Sequence, residues 1–226
     1  SKILRRVELR AEAGAEEVLR SMKSAIGMSE EREQQRARLE VQLQSGELPL
    51  PFAWRPRFAL GNVQDVAHLW ELAKRSTDAE KQFHLNMIGG QWEQRHAESF
   101  RSRTPVFDLL TLFVLQDLEL LDKVFDFFPK VAISQAALGE LMKMSQAFSG
   151  SIFRQRCIDV QDRLRPRLAH ILQPHGAPSE DDLHLPNSSR ELRSLARTGD
   201  YVVYSDDAVL RMWILEDKFA ADGICT

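Results

Sequence analysis

Apolar and polar residues alternate in two different ways along the chain, and the change comes at about residue 103. Up to that point, apolar residues recur every three or four positions among many charged residues, which is the spacing of amphipathic helices. Beyond it, short apolar runs alternate with longer helical stretches, which is typical of an α/β sheet unit. We therefore predict an all-α N-terminal region over residues 1–103 and an α/β domain over residues 104–226.

The N-terminal region is predicted to be helical over most of its length. Its helices cover residues 1–44 with a break at Gly27, residues 63–75 after an N-cap at Asn62, and residues 78–100 after a capping box at Thr77 and Glu80. A glycine and two prolines between residues 45 and 51 end the helical pattern there. The first 44 residues carry charges of both signs, so they form either a solvated arm or a surface for a protein partner.

An aromatic and basic segment follows this break. Phe52, Trp54 and Phe58 are interleaved with Arg55 and Arg57. Such a mixture can stack on nucleic-acid bases, whereas in many proteins it is a loop that its aromatic rings hold against the core. The sequence leaves both interpretations open.

The α/β domain is predicted to contain short strands connected by helices. The strands are expected at residues 106–107, 131–133, 201–204 and 224–225, and the helices at residues 109–128, 135–148, 152–172, 188–197 and 208–221. Residues 174–187 are polar and contain prolines, which predicts an exposed loop.

Acidic residues follow three of the predicted strands. Asp108 comes directly after the first strand, Asp206 and Asp207 follow the strand at residues 201–204, and Glu140 lies in the second turn of the helix after residues 131–133. If the strands are parallel, these acids share the edge of the sheet where open α/β folds bind ligands. Considered alone, Asp108 is better explained as a helix N-cap and Glu140 as a surface residue.

Together the acids predict a cation site. Carboxylates gathered at one point repel one another, and their pKa values rise unless a cation neutralises them. Their hard oxygen atoms suit Mg²⁺ or Mn²⁺, which activate water and stabilise the leaving oxygen in phosphodiester hydrolysis.

Composition and charge restrict the other classes of function. The 226 residues, 43% of them hydrophobic, are enough for one large domain or two small ones, and the net charge of −3 excludes a basic field over the whole molecule. Two distant cysteines, Cys157 and Cys225, predict free thiols and a cytoplasmic protein without a disulfide framework. The longest apolar run is too short to span a membrane, so no membrane partner is expected.

A local basic patch is a second candidate for contact with a nucleic acid. Five arginines interrupted by few acids lie in the helix after residue 152: Arg154, Arg156, Arg163, Arg165 and Arg167. They predict either a surface for the RNA backbone or an ordinary solvated helix face.

Three short segments of the second half resemble the PIN-domain family of metal-dependent nucleases, which includes toxin-type endoribonucleases. The segments are PVFDLL with Leu112, VAISQAALGEL at residues 131–141, and YVVYSDDAVLR at residues 201–211. The pattern over residues 104–226 looks most like PIN domains at the ends of large bacterial multidomain proteins. It implies a PIN-like three-layer fold with a short parallel sheet, and Mg²⁺- or Mn²⁺-dependent cleavage of RNA.

The resemblance also implies roles for the acids. Asp108, Glu140 and Asp207 would be the catalytic metal ligands, and Asp206 would assist them. PIN domains usually have a fourth acid after the following helix; Glu216, Asp217 and Asp222 are near that place, but none matches the pattern. The chain also ends around the last expected strand, so a truncated domain is left open. A catalytically inactive PIN-like module that binds protein or nucleic acid is therefore the alternative.

Overall fold

The computed structural model describes residues 30–45, 47–48, 50–57, 65–75, 100–146, 152–177, 185–216 and 223–224. Its centre is a sheet of five parallel strands in the order β3-β2-β1-β4-β5. The strands are β1 (Thr104–Phe107), β2 (Val131–Ile133), β3 (Ile171–Leu172), β4 (Tyr201–Tyr204) and β5 (Gly223–Ile224). The predicted α/β class is thus confirmed.

Helices precede the sheet and connect its strands. They are α1 (Glu30–Ser45), α2 (Val66–Arg75), α3 (Leu109–Asp117), α4 (Leu121–Phe127), α5 (Gln135–Gln146), α6 (Ile152–Leu164), α7 (Asn187–Thr198) and α8 (Ala208–Glu216). Two 3-10 helices, Phe52–Arg57 and Arg165–His170, complete the described elements. Among the described residues, no helix is both long and apolar enough to cross a lipid bilayer.

The sheet is buried on both faces, as parallel sheets are. Because successive side chains of a strand point to opposite sides, Val106 and Val203 face a cluster with α7 and α8, whereas Phe107 and Tyr204 face the larger core with α3, α5 and α6. The fold therefore has three layers, with the sheet between two layers of helices.

Described parts of the N-terminal region pack on the larger core. Phe52 and Leu69 are fully buried in the same hydrophobic cluster as Phe107. The Trp70 indole donates a hydrogen bond to Asp117 at the end of α3, at 2.8 Å. The boundary at residue 103 stays a prediction, but these elements contact the sheet domain directly.

The helix predicted over residues 109–128 is wrong, because the chain forms two helices there. Glu119 has a positive φ of 55°, and the Leu120 amide donates to the Leu115 carbonyl at 2.8 Å, which terminates α3. The chain then turns, and Leu121 and Phe125 return to the core as part of α4.

The helix predicted over residues 152–172 is also too long. Pro166 has no N–H and collides with the preceding turn of an α-helix, so α6 ends at Leu164 and a 3-10 helix follows. The next two residues form β3 beside β2, a strand that the sequence pattern did not predict.

Several predicted boundaries change little. Helix α2 begins at Val66, because the Asp65 carboxylate accepts the His68 amide at 2.8 Å and serves as the cap assigned to Asn62. Helix α1 confirms the helix predicted after Gly27. The helices predicted over residues 1–28 and 78–99, the capping box, and the end of the last helix lie outside the described residues.

Candidate acidic site

The strand order has a topological switch point between β1 and β4. From β1 the chain moves through β2 to β3 on one side, and it later returns to place β4 and β5 on the other side. Ligands of open α/β sheets bind at this switch point, beyond the carboxyl ends of the strands. Asp108 follows β1 there, and Ser205, Asp206 and Asp207 follow β4. The Asp108 amide donates to the Tyr204 carbonyl at 3.4 Å and holds the two strand ends together.

Asp108 is the N-cap of α3 and is 6% exposed. Its carboxylate accepts the amides of Leu110 and Thr111 at 3.2 and 3.3 Å. The Thr111 hydroxyl also donates to Asp108 and accepts the Asp206 amide at 2.7 Å. Thr111 therefore connects the turns after β1 and β4, and the capping interpretation of Asp108 is confirmed.

Asp207 is the N-cap of α8 and is 4% exposed. Its Oδ1 accepts the amides of Val209 and Leu210, both at 3.1 Å. The Ser205 hydroxyl accepts the Asp207 amide at 3.1 Å, and the Arg211 guanidinium donates to the Ser205 carbonyl. Local hydrogen bonds thus fix the direction of the acidic turn.

The buried aspartates are electrostatically unfavourable. Burial raises the pKa of Asp108 to about 7; the hydrogen bond from Thr111 opposes this shift, and the charges of Asp207 and Asp206 add to it. Burial likewise raises the pKa of Asp207, against hydrogen bonds from Leu210 and Phe52 and the nearby charge of Arg55. The site therefore gathers negative charge that its surroundings stabilise only in part.

Residues 50–57, which we call the strap, lie against this site. The Phe52 amide donates directly to Asp207 Oδ2, across 155 positions of sequence. Arg55 is only 3% exposed; burial lowers its pKa, and Asp207 opposes the shift. The Trp54 indole donates to the Ser189 hydroxyl at 3.1 Å and packs edge-on against Trp213. Residues Phe52–Arg57 of the aromatic segment thus form a 3-10 helix held to the core, and Phe58 lies outside the described residues.

Glu140 accepts its hydrogen bonds from Ser188 of α7. Its two carboxylate oxygens accept the Ser188 amide at 3.1 Å and the Ser188 hydroxyl at 2.7 Å, at the start of α7. In return, Glu191 of α7 accepts the Ala136 amide at the start of α5, at 2.7 Å. Each helix thus caps the other, which gives Glu140 a structural role at the sheet edge.

Replacing Glu140 by alanine should lower the free energy of unfolding by about 1 kcal/mol, because the amide and hydroxyl of Ser188 lose their acceptor. Urea unfolding followed by circular dichroism measures the change. Lys143→Ala, at an exposed position of the same helix, is the control. Unchanged stability of Glu140→Ala would show that the cross-cap contributes nothing.

The arginines of the basic patch have intramolecular partners. Arg154 donates to the Ser145 carbonyl, and Arg156 pairs with Glu71 and Asp117. On the exposed side, the remaining pairs are Arg163 with Asp122, Arg165 with Asp162, and Arg167 with Asp122 and Asp126. Contact with RNA stays a prediction.

The carboxylates suit a hard cation in chemistry but not in arrangement. The described residues include no group of three or more His, Cys, Asp or Glu side chains placed to hold a metal ion. Both oxygens of Asp207 and both of Asp108 already accept hydrogen bonds, and Glu140 bonds to Ser188. As arranged here, the acids do not fit Mg²⁺ or Mn²⁺. The side chains of Glu216, Asp217 and Asp222 lie outside the described part of the chain.

Sequence reasoning missed three parts of this site: the Thr111 hydroxyl, the Phe52 amide and the Arg55 side chain. Thr111 had a signal, since it is the polar residue in the apolar run LLTLFVL directly after an N-cap. The two strap groups meet Asp207 only through the fold. No family model matches the chain, and no curated protein is significantly similar to it in sequence.

Proposed function

We propose that the chain is a cytoplasmic, PIN-like, Mg²⁺- or Mn²⁺-dependent endoribonuclease whose acids make intramolecular hydrogen bonds in this structure. The observation that carries this proposal is the position of Asp108, Asp206 and Asp207, which are buried together at the switch point of a parallel sheet. The segments that resemble the PIN family contain the same residues. The free, buried thiol of Cys157 is compatible with a reducing compartment.

Electrostatics supports a functional role for these aspartates. Burying several carboxylates beside one another destabilises the folded state, and strongly perturbed pKa values concentrate at functional sites. The pKa of Asp108 is about 7. An exposed aspartate caps a helix equally well without this destabilising burial, so the capping role does not explain why Asp108 is buried. A divalent cation would remove this penalty if the carboxylates exchanged their present partners for it.

Cleavage of a labelled single-stranded RNA in Mn²⁺ tests the proposal. We expect cation-dependent cleavage that falls by about 10- to 100-fold or more in Asp108→Asn, since the asparagine removes one of the charges that would hold the cation. Asp200→Asn changes an exposed acid directly before β4, at the opposite edge of the sheet, and is the matched control, with unchanged activity expected. Equal cleavage by the wild type and Asp108→Asn would contradict the assignment.

A catalytically inactive PIN-like module is the second candidate, and the buried Arg55 favours it. In that case Arg55 is the permanent counter-ion of Asp207, and the protein acts by binding a protein, through its N-terminal helices, or a nucleic acid. It predicts no cleavage and no effect of Mn²⁺ on the melting temperature at pH 8. RNA affinity measured by fluorescence anisotropy would then be independent of divalent cations.

A further inference from the structure

We propose that a cavity beside β2 and β3 binds a phosphate group through the guanidinium of Arg190 and the imidazole of His175. The cavity has a volume of about 310 Å³ and is lined by Ala136, His175, Asn187, Arg190 and Glu191. This volume lies near the lower limit for small-molecule pockets and suits one phosphate with a small part of the molecule that carries it. The inference goes beyond the proposed function, because it depends neither on the aspartates after β1 and β4 nor on a metal ion.

The cavity lies at the carboxyl edge of the sheet, where open α/β folds bind their ligands. His175 follows β3 there, and Ala136 is in the first turn of α5, which follows β2. Asn187 is the first residue of α7, and Arg190 and Glu191 follow in the same helix. Residues that are far apart in the sequence thus meet at a functionally favoured edge of the fold.

The segment that carries His175 is held against both neighbouring helices. On one side, the Gln135 amide at the start of α5 donates to the Pro174 carbonyl at 3.2 Å. On the other side, Gly176 packs so closely on α7 that a Cβ atom there would lie 2.8 Å from the Glu191 carbonyl oxygen. The lack of a side chain at Gly176 permits this contact, and the position of His175 is fixed from both sides.

The positive charge of Arg190 has no carboxylate partner among the described residues. Its guanidinium donates to the side-chain oxygen of Asn187 at 3.2 Å, and its Nε is buried without a hydrogen-bond partner in the described part of the chain. The adjacent acid, Glu191, accepts the Ala136 amide at 2.7 Å through one oxygen and pairs with His175 through the other. Since a guanidinium binds phosphate through two parallel N–H···O bonds, Arg190 is the group that would hold the anion.

His175 supplies the second donor. Its side chain is 66% exposed, and its Nδ1 lies 2.5 Å from a carboxylate oxygen of the buried Glu191. Because the two ring nitrogens lie on opposite sides of the imidazole, this contact directs Nε2 away from Glu191. The protonated ring donates from both nitrogens, so it can bind Glu191 and a phosphate oxygen together. Arg190 and protonated His175 then carry two positive charges against the single negative charge of Glu191, which favours an anion in the cavity.

Isothermal titration calorimetry with inorganic phosphate, in a phosphate-free buffer that contains EDTA, tests the inference on the full chain. We expect Arg190→Met to weaken binding by about tenfold or more, since one charge-assisted hydrogen bond contributes roughly that factor. Arg101→Met changes an exposed arginine before β1, at the opposite edge of the sheet, and should bind phosphate as the wild type does. His175→Gln can keep a hydrogen bond to Glu191 but has no charge, so it should also bind more weakly. It carries the test if Arg190→Met fails to fold.

Competition experiments identify the molecule that carries the phosphate. An RNA dinucleotide with a 5′-phosphate and the same dinucleotide with a 5′-hydroxyl are each added to the phosphate complex. Displacement by both indicates the backbone of a nucleic acid, displacement by the 5′-phosphorylated form alone indicates a terminal phosphate, and displacement by neither indicates free phosphate. Absence of phosphate binding at millimolar concentration would overturn the inference, as would equal phosphate affinity in the wild type, Arg190→Met and His175→Gln. Because EDTA removes divalent cations, either result would leave the proposed cleavage of RNA untouched.

Discussion

Replacing Asp108 by asparagine should make the protein more stable at pH 8 and remove much of the fall in stability between about pH 4 and pH 7. Asparagine also caps helices well, and its Oδ1 can keep the hydrogen bonds from Thr111. It cannot acquire the negative charge that burial and the neighbouring aspartates oppose. The variant therefore tests whether the buried charge of Asp108 lowers the free energy of unfolding.

The sign of the pH dependence follows from the direction of the pKa shift. The pKa of Asp108 is about 7 in the folded protein against an ordinary value of 3.8, so between these values the folded state holds a proton that the unfolded state has lost. Stability from this proton is complete below about pH 4 and is lost as the pH rises through 7. At 1.36 kcal/mol per pKa unit the loss approaches about 4 kcal/mol. Asparagine should recover most of this free energy. The loss of the hydrogen bond from the Leu110 amide reduces the gain by about 1 kcal/mol.

Urea unfolding in EDTA at pH 5 and pH 8 measures the effect. Because other groups titrate over the same range, the informative quantity is the difference between the wild type and Asp108→Asn at each pH. We expect the variant's advantage to increase by about 2 to 3 kcal/mol from pH 5 to pH 8. Asp162→Asn, an exposed acid on α6, should change stability equally at both pH values. A constant difference between Asp108→Asn and the wild type would contradict the shifted pKa.

The local sequence pattern was sufficient to predict short strands whose residues are all apolar. Strands β2 and β4 are apolar runs between polar breaks, and the structure places them at the predicted residues. Strand β3 could not be predicted in this way, since Ile171 and Leu172 continue the apolar spacing of α6 and only their pairing with β2 makes them a strand. The break at Glu119 was equally hidden, because a glutamate is an unusual residue for a positive φ.

The position of the acidic site was also predictable from the local pattern, but its hydrogen bonds were not. The aspartates could be placed at the sheet edge because each follows a strand, and a parallel sheet brings strand ends together. The hydrogen-bond partners of the acids could not be predicted, because those contacts join distant parts of the chain. Phe52 donates to Asp207, and Ser188 donates to Glu140, 48 positions away. A sequence can therefore indicate where charges gather, while the fold decides which hydrogen bonds they already make.

Replacing Arg156 by methionine should lower the free energy of unfolding by about 2 kcal/mol. Arg156 donates from Nε to Glu71 at 3.0 Å and also pairs with Asp117. Glu71 is almost fully buried and Asp117 largely so; Lys74 would remain beside both acids, and Arg75 would remain beside Glu71. Removing one partner of a buried pair costs about 3 to 5 kcal/mol; the partial exposure of Arg156 and the presence of Lys74 reduce that figure.

The same variant tests whether Arg156 stabilises the fold or is available to contact RNA. The pairs of Arg156 join α6 to α2 and to the end of α3, so the loss should appear as a lower urea midpoint with an unchanged m-value. Arg163→Met, which removes an exposed pair with Asp122, should change stability by less than about 0.5 kcal/mol. If Arg156→Met is as stable as Arg163→Met, the pairs with Glu71 and Asp117 are dispensable and Arg156 is free to serve a nucleic-acid backbone. If it is destabilised as expected, Arg156 holds α2 and the end of α3 against α6, and only the exposed arginines of the patch remain candidates for RNA.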